Sequence, residues 1–83
     1  MKLLYFAWLR HHVGAGEETR TPPAGVATVA ELLDWLAGQS EGHAGALADR
    51  ERVRVAVNQE YAGPEDTVAP DDEVALFPPV TGG

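Results

Sequence analysis

The chain has 83 residues and no cysteine, which allows one domain with one modest core and excludes a disulfide framework or a thiolate metal site. Six basic residues against 13 acidic ones give a net charge of −7, a surface that repels phosphate backbones and anionic membranes and favours partners with basic patches. Neither nucleic-acid nor membrane binding is expected, and a composition without thiols suits a reducing cytoplasm.

Leu3 to Leu9 is a seven-residue apolar run behind Met1 and Lys2. A secretory signal would need a longer run and a small-residue cleavage site, whereas Arg10, His11 and His12 come next. The run is also too short to span a bilayer. It reads as a buried strand closed by the turn glycines of "VGAGE". A weak second strand, about Glu17 to Thr21, would pair back as a hairpin before Pro22 and Pro23 end it.

"TVAELLDWLAG" is the clearest element. Thr28 is placed to cap a helix, Glu31 stands where a capping box needs it, and Gly38 can stop it. Val29, Leu32, Leu33 and Leu36 fall on one apolar stripe, which reads as core, with Trp35 on the flank. Glycine-punctuated turns follow, with one short helix expected over Ala44 to Asp49. "RVRVAVN" alternates, with Val53, Val55 and Val57 inward. "NQEYAGPED" is a turn region with a short strand, and "PDDE" turns into a final strand, "VALF". The order predicts an α+β roll, a mixed sheet with one long helix packed across one face.

Two of these strands conflict with a single covering layer. Leu3, Tyr5, Ala7 and Leu9 alternate with Leu4, Phe6 and Trp8, and Val74 and Leu76 alternate with Ala75 and Phe77. A strand apolar on both sides normally lies between two layers. One long helix covers one face, so the other is left to a partner protein, the natural candidate, or to loops and the short helix.

The chain closes on "FPPVTGG", and a terminal Gly-Gly arises by accident in roughly half a percent of chains. Residues 1–77 are expected to form the domain, and 78–83 an extended flexible tail. "FAWLRHHVG", "TVAELL", "AVNQEY" and "DDEVALFPPVTGG" together resemble, from end to end, the small subunit of molybdopterin synthase. That resemblance implies the ubiquitin-like β-grasp fold. It also implies a sulfur carrier rather than an independent enzyme. The Gly83 carboxylate would be adenylated by an ATP-dependent, ubiquitin-activating-like enzyme, then converted to a thiocarboxylate. The large synthase subunit would take the tail and pass the sulfur to cyclic pyranopterin monophosphate, building the molybdopterin dithiolene.

In that scheme Gly82 lets the backbone thread a narrow channel, Pro78 and Pro79 hold the chain extended, and Val80 and Thr81 are spacers. Phe6, Tyr61 and Phe77 match positions where the family presents apolar side chains to partners. No cofactor is bound permanently, since the activating enzyme uses the ATP. One departure stands out: His11 occupies a position that is commonly Glu in the family. A metal site from His11, His12 and His43 is not expected, because adjacent histidines in a turn lack a carboxylate at ligand spacing.

Carriers for the thiamine thiazole, cysteine or tRNA thiolation share the Gly-Gly end but seldom carry Pro-Pro before it. A protein modifier would use the same carboxylate for an isopeptide bond. A plain β-grasp interaction module would leave it idle.

Overall fold

A computed structural model of the chain describes residues 1–79. Five strands form one mixed sheet in the order β2-β1-β5-β3-β4. They are β1 (Lys2–Tyr5), β2 (Glu17–Thr19), β3 (Arg54–Val57), β4 (Glu60–Ala62) and β5 (Glu73–Phe77). β1 runs parallel to β5, and the other neighbours are antiparallel. Three α-helices lie between the strands: α1 (Trp8–Val13), α2 (Val29–Ala37) and α3 (Glu41–Ala46).

The α2 helix forms as its sequence dictates. The Thr28 hydroxyl accepts the Glu31 N–H at 3.2 Å, and Glu31 Oε1 accepts the Thr28 N–H at 3.0 Å, which completes the capping box. Gly38 terminates it. Val29, Leu32, Leu33 and Leu36 are all buried, and they face Leu3, Tyr5, Val55, Val74 and Leu76 of the sheet. Pairing aligns these sheet residues in rows: Tyr5 with Leu76 and Val55, and Leu3 with Val74.

The first strand is shorter than the apolar run suggests. β1 ends at Tyr5, and Trp8, Leu9 and Arg10 belong to α1. The cause lies on the neighbouring strand. The Phe6 N–H still donates to the Leu76 carbonyl at 3.1 Å, but the next parallel bond would need an N–H from Pro78, which has none. The Phe6 carbonyl accepts from Leu9 instead, at 3.2 Å, Ala7 turns the chain at φ 55°, and the helix begins. Leu9 still reaches the core, but from the helix.

Three smaller corrections follow. β2 spans Glu17–Thr19, and Arg20 adds one last reciprocal pair, its N–H donating to the Met1 carbonyl and its carbonyl accepting the Met1 amino group; beyond it β1 offers no residue to pair with. The short helix spans Glu41–Ala46 instead of Ala44 to Asp49, since Ser40 caps it through the His43 N–H. A 3₁₀ turn at Arg50–Arg52 follows. The helix layer is also fuller than expected: α1 and α3 cover the rest of the face that α2 crosses. They approach closely, because a side chain at Gly42 would collide with the His12 carbonyl oxygen. Arg52 over the Trp8 ring, 5.6 Å from its centroid, supports the same corner.

The central stripe makes the first prediction. Leu32 is fully buried, so Leu32→Ala should destabilise the fold by about 2–5 kcal/mol, read from urea unfolding. An unchanged midpoint would put the wrong face of α2 in the core.

Candidate functional site

The opposite face of the sheet has no helix across it among the described residues. Its pairing brings Leu4, Ala75, Ala56 and Tyr61 into one row, with Arg54 beside Phe77 in the next. Leu4, Ala75, Ala56 and Phe77 are half-buried. Among the described residues, Phe6 at 49% exposure and Tyr61 at 80% are the large apolar side chains left in solvent.

Each aromatic is positioned by a local device. Phe6 follows Tyr5 at the end of β1, held by its bond to Leu76 before the Ala7 turn. Tyr61 is set by a two-residue hairpin turn in which Asn58 and Gln59 both take positive φ, 52° and 70°. Asn is well suited to that conformation. The turn pairs Val57 with Glu60, which places Tyr61 opposite Ala56. Asn58 is further fixed by its N–H to the Glu73 carbonyl at 2.7 Å and its side-chain amide to Asp72 at 2.9 Å. The Tyr61 and Phe77 rings lie 5.9 Å apart.

Phe77 is the last strand residue, so the tail leaves the sheet at the edge of this aromatic surface. Pro78 and Pro79 are half-buried and belong to no strand. Val80, Thr81, Gly82 and Gly83 lie outside the described residues, so their expected roles belong to the proposal below. The structure thus brings Tyr61 and Phe77 together at the root of the tail, with Phe6 at the end of the strand beside β5.

Sequence reasoning missed a second cluster, on the helix side. Glu18 Oε2 accepts from the Tyr5 hydroxyl and contacts His43 Nε2, each at 2.6 Å, while Oε1 accepts from Arg20 Nε at 2.9 Å. His43 Nδ1 lies 2.7 Å from the Ser40 hydroxyl, and the Arg20 guanidinium reaches on to Gln39. His43 is only 3% exposed. The signal was faint: pairing of Glu18 with Leu3 turns it toward the core, but nothing local in "GHAG" says that a histidine 25 residues away will meet it.

Burial raises the Tyr5 phenol far above its ordinary value, helped by its bond to the Glu18 carboxylate. Burial also pushes Glu18 upward, but the hydrogen bonds from Tyr5, His43 and Arg20 outweigh it and hold the carboxyl below its usual range. The cluster is a polar clamp that ties α3 to β1 and β2. His11 and His12 are exposed on α1, and neither bonds to the clamp. Among the described residues no three His, Cys, Asp or Glu side chains are grouped to hold a metal.

The ThiS family model matches residues 3–83, from the first strand through both terminal glycines. The chain belongs to the ThiS family. Over its whole length it is 40% identical to the molybdopterin synthase sulfur carrier subunit of Escherichia coli strain K12, covering 99% of that protein. It is 36% identical to the protein of the same name from Chlamydomonas reinhardtii, covering 100% of this chain and 98% of that one. Among solved structures it superposes on small archaeal modifier protein 1 of Haloferax volcanii with a TM-score of 0.76 at 35% identity, covering 96% of this chain and 97% of that one. The mixed five-stranded sheet with its crossing helix is therefore the ubiquitin-like β-grasp that the sequence resemblance implied.

In this ThiS-family chain the clamp makes the second prediction. Glu18 is stabilised as the anion, so its contribution should be complete above the ordinary carboxyl value of 4.5 and fade as pH falls through the lower folded value. Glu18→Gln should cost on the order of 1.5–3 kcal/mol at neutral pH, with the gap to wild type closing in acid. Urea titrations from about pH 7 down to about pH 3 check this. A gap that widened in acid would reverse the assignment of the charged form.

Proposed function

We propose that this ThiS-family chain is the sulfur-carrier subunit of a molybdopterin synthase, working through its C-terminal carboxylate. The observation that carries the reading is the full-length 40% identity to a carrier subunit of that name, together with an unbroken "FPPVTGG" end. The fold supports it, because the last strand delivers the chain to the edge of an exposed aromatic surface and two prolines then prevent it from extending the sheet.

The chemistry needs little from the domain itself. An activating enzyme joins the Gly83 carboxylate to AMP from ATP, expelling pyrophosphate. The outer sulfur of a persulfide then displaces AMP to form an acyl disulfide, and a second thiol cleaves that S–S bond, becoming disulfide-linked itself and leaving the thiocarboxylate. In the synthase, Gly83 gives that sulfur to cyclic pyranopterin monophosphate and returns to carboxylate. A side chain at Gly83 would crowd attack on the carbonyl, and one at Gly82 would widen the segment that threads the active site. Pro78 to Thr81 set the reach. Phe6, Tyr61 and Phe77 form the surface that docks on the large subunit and, in turn, on the adenylating enzyme. The chain is no enzyme alone; it is the sulfur-donating half of a sulfurtransferase, and it holds no cofactor of its own. The cytoplasm suits this role.

A second reading, a protein modifier, is favoured by the structural likeness to small archaeal modifier protein 1. Both use the same activated carboxylate, and the products separate them: a terminal thiocarboxylate in one case, an isopeptide-linked lysine in the other. A carrier for another thiolation pathway would form the thiocarboxylate but fail with the large synthase subunit.

Deleting Gly83 draws the reactive carbonyl back by about 3.3–3.6 Å in an extended chain, and misplacement by about 1 Å can already cost on the order of a hundredfold. Wild type incubated with ATP, an activating enzyme and a sulfur donor should gain one oxygen-to-sulfur exchange on its C-terminal peptide by mass spectrometry. The truncation should keep wild-type stability and lose the exchange; an inert wild type beside a competent enzyme would defeat the carrier reading. Phe6→Asp should bring an unpartnered charge into the docking surface and abolish binding to the large subunit, while the melting temperature stays near wild type.

A further inference from the structure

At the far end of β3 and β4 the ladder stops at the pair Val55 and Ala62, and beyond it the two strands diverge. The gap opens a groove of about 410 Å³ toward α2, floored by Val29, Ala30, Leu33, Val53 and Pro64. A second hollow of about 480 Å³ lies on the aromatic face of the same strands, lined by Tyr61 and Phe77. Arg54 borders both. It is paired across the ladder with Phe77, so it stands at the root of the tail.

Lys2, Arg20 and Arg50 each meet a carboxylate, from Glu17, Glu18 and Asp34 respectively. Arg10, Arg52 and Arg54 meet no carboxylate among the described residues, but Arg52 lies over the Trp8 ring and only Arg54 of the three lines the groove. The Arg54 guanidinium is exposed and donates, through Nη1 alone, to the backbone carbonyls of Glu51 and Val53. Those bonds fix its direction without neutralising it, and no carboxylate pairs with it among the described residues. On a chain of net charge −7, a fixed and unneutralised guanidinium beside an apolar groove is an arrangement that a carboxylate-bearing partner completes.

We infer that the docking surface continues from Tyr61 and Phe77 around Arg54 into the α2 groove, and that its occupant is a segment of the large synthase subunit carrying an apolar side chain next to an Asp or Glu. The apolar side chain fills the space over Ala30 and Leu33, and the carboxylate takes the free N–H groups of Arg54. Such a contact grips the carrier on the helix side of the tail root, while Phe6 grips it on the other side. It would make the affinity depend on salt, which an aromatic patch alone does not. This inference rests on the synthase reading above.

The test measures binding of the full-length chain to purified large subunit by calorimetry, at low and high salt, for wild type, Arg54→Glu, Arg54→Lys, Ala30→Trp and Phe6→Asp. Ala30 is half-buried on α2, so a larger side chain there occupies the groove and leaves the aromatic face untouched. Arg54→Glu should weaken binding by about tenfold or more at low salt, with the loss shrinking at high salt. Arg54→Lys should recover part of it as a point charge. Ala30→Trp should weaken binding at both salt concentrations. Melting temperatures near wild type confirm that each variant is folded, and a variant that melts early is replaced by Ala30→Gln. If Phe6→Asp abolishes binding while the Arg54 and Ala30 variants bind like wild type, the groove contact is wrong and the synthase reading stands. If wild type itself fails to bind, both fall together.

Discussion

The parallel pairing of β1 with β5, and the point where it must stop, shapes much of this protein. Pro78 follows the last strand residue and has no N–H for the Phe6 carbonyl, so the ladder ends one bond after Tyr5. The chain turns at Ala7 into α1 on one strand, and on the other it leaves the sheet as the tail. One missing donor thus ends the pairing of both strands and puts Phe6 at the boundary. Had the strand run on to Leu9, the tail would have been bound into the sheet.

The two faces then divide the work. On the helix side the α2 stripe, α1 and α3 close the core, and the buried His43 there is satisfied by Glu18 and Ser40. On the other side the sheet stays open, and its apolar surface borders the tail root. A stable core on one face and an uncovered apolar surface on the other are thus built by the same five strands. The acidic turn residues belong to this scaffold. Asp66 accepts the Gly63 N–H and Asp72 the Ala69 N–H, so both shape loops before they steer any partner.

The clamp of Tyr5, Glu18, Arg20, His43 and Ser40 shows how a small core can hold ionisable groups. Each carboxylate oxygen is matched by a donor, and no buried side-chain nitrogen or oxygen among the described residues lacks a partner. A clamp of this kind has a direction as well as an energy: it fixes α3 against the β1 end, and α3 in turn supports α1 through the close approach at Gly42.

Much of this was determined by the sequence alone. The α2 helix, with its Thr28 box and apolar stripe, and the alternation around Val53 and Val55 are written in local periodicity and capping chemistry. The end of the last strand at Phe77 was legible too, because Pro78 and Pro79 have no N–H to give a ladder. The end of β1 was not legible, since it depends on a proline more than 70 residues away that only the folded sheet brings alongside. The buried role of His43 was hidden for the same reason: its partner Glu18 lies 25 residues off on another element. So was the cation at the tail root, because Arg54 looks like the outward position of an alternating strand until register sets it beside Phe77. Short-range pattern decides which residues form a helix or a strand. Long-range register, which no local signal encodes, decides which of their side chains meet.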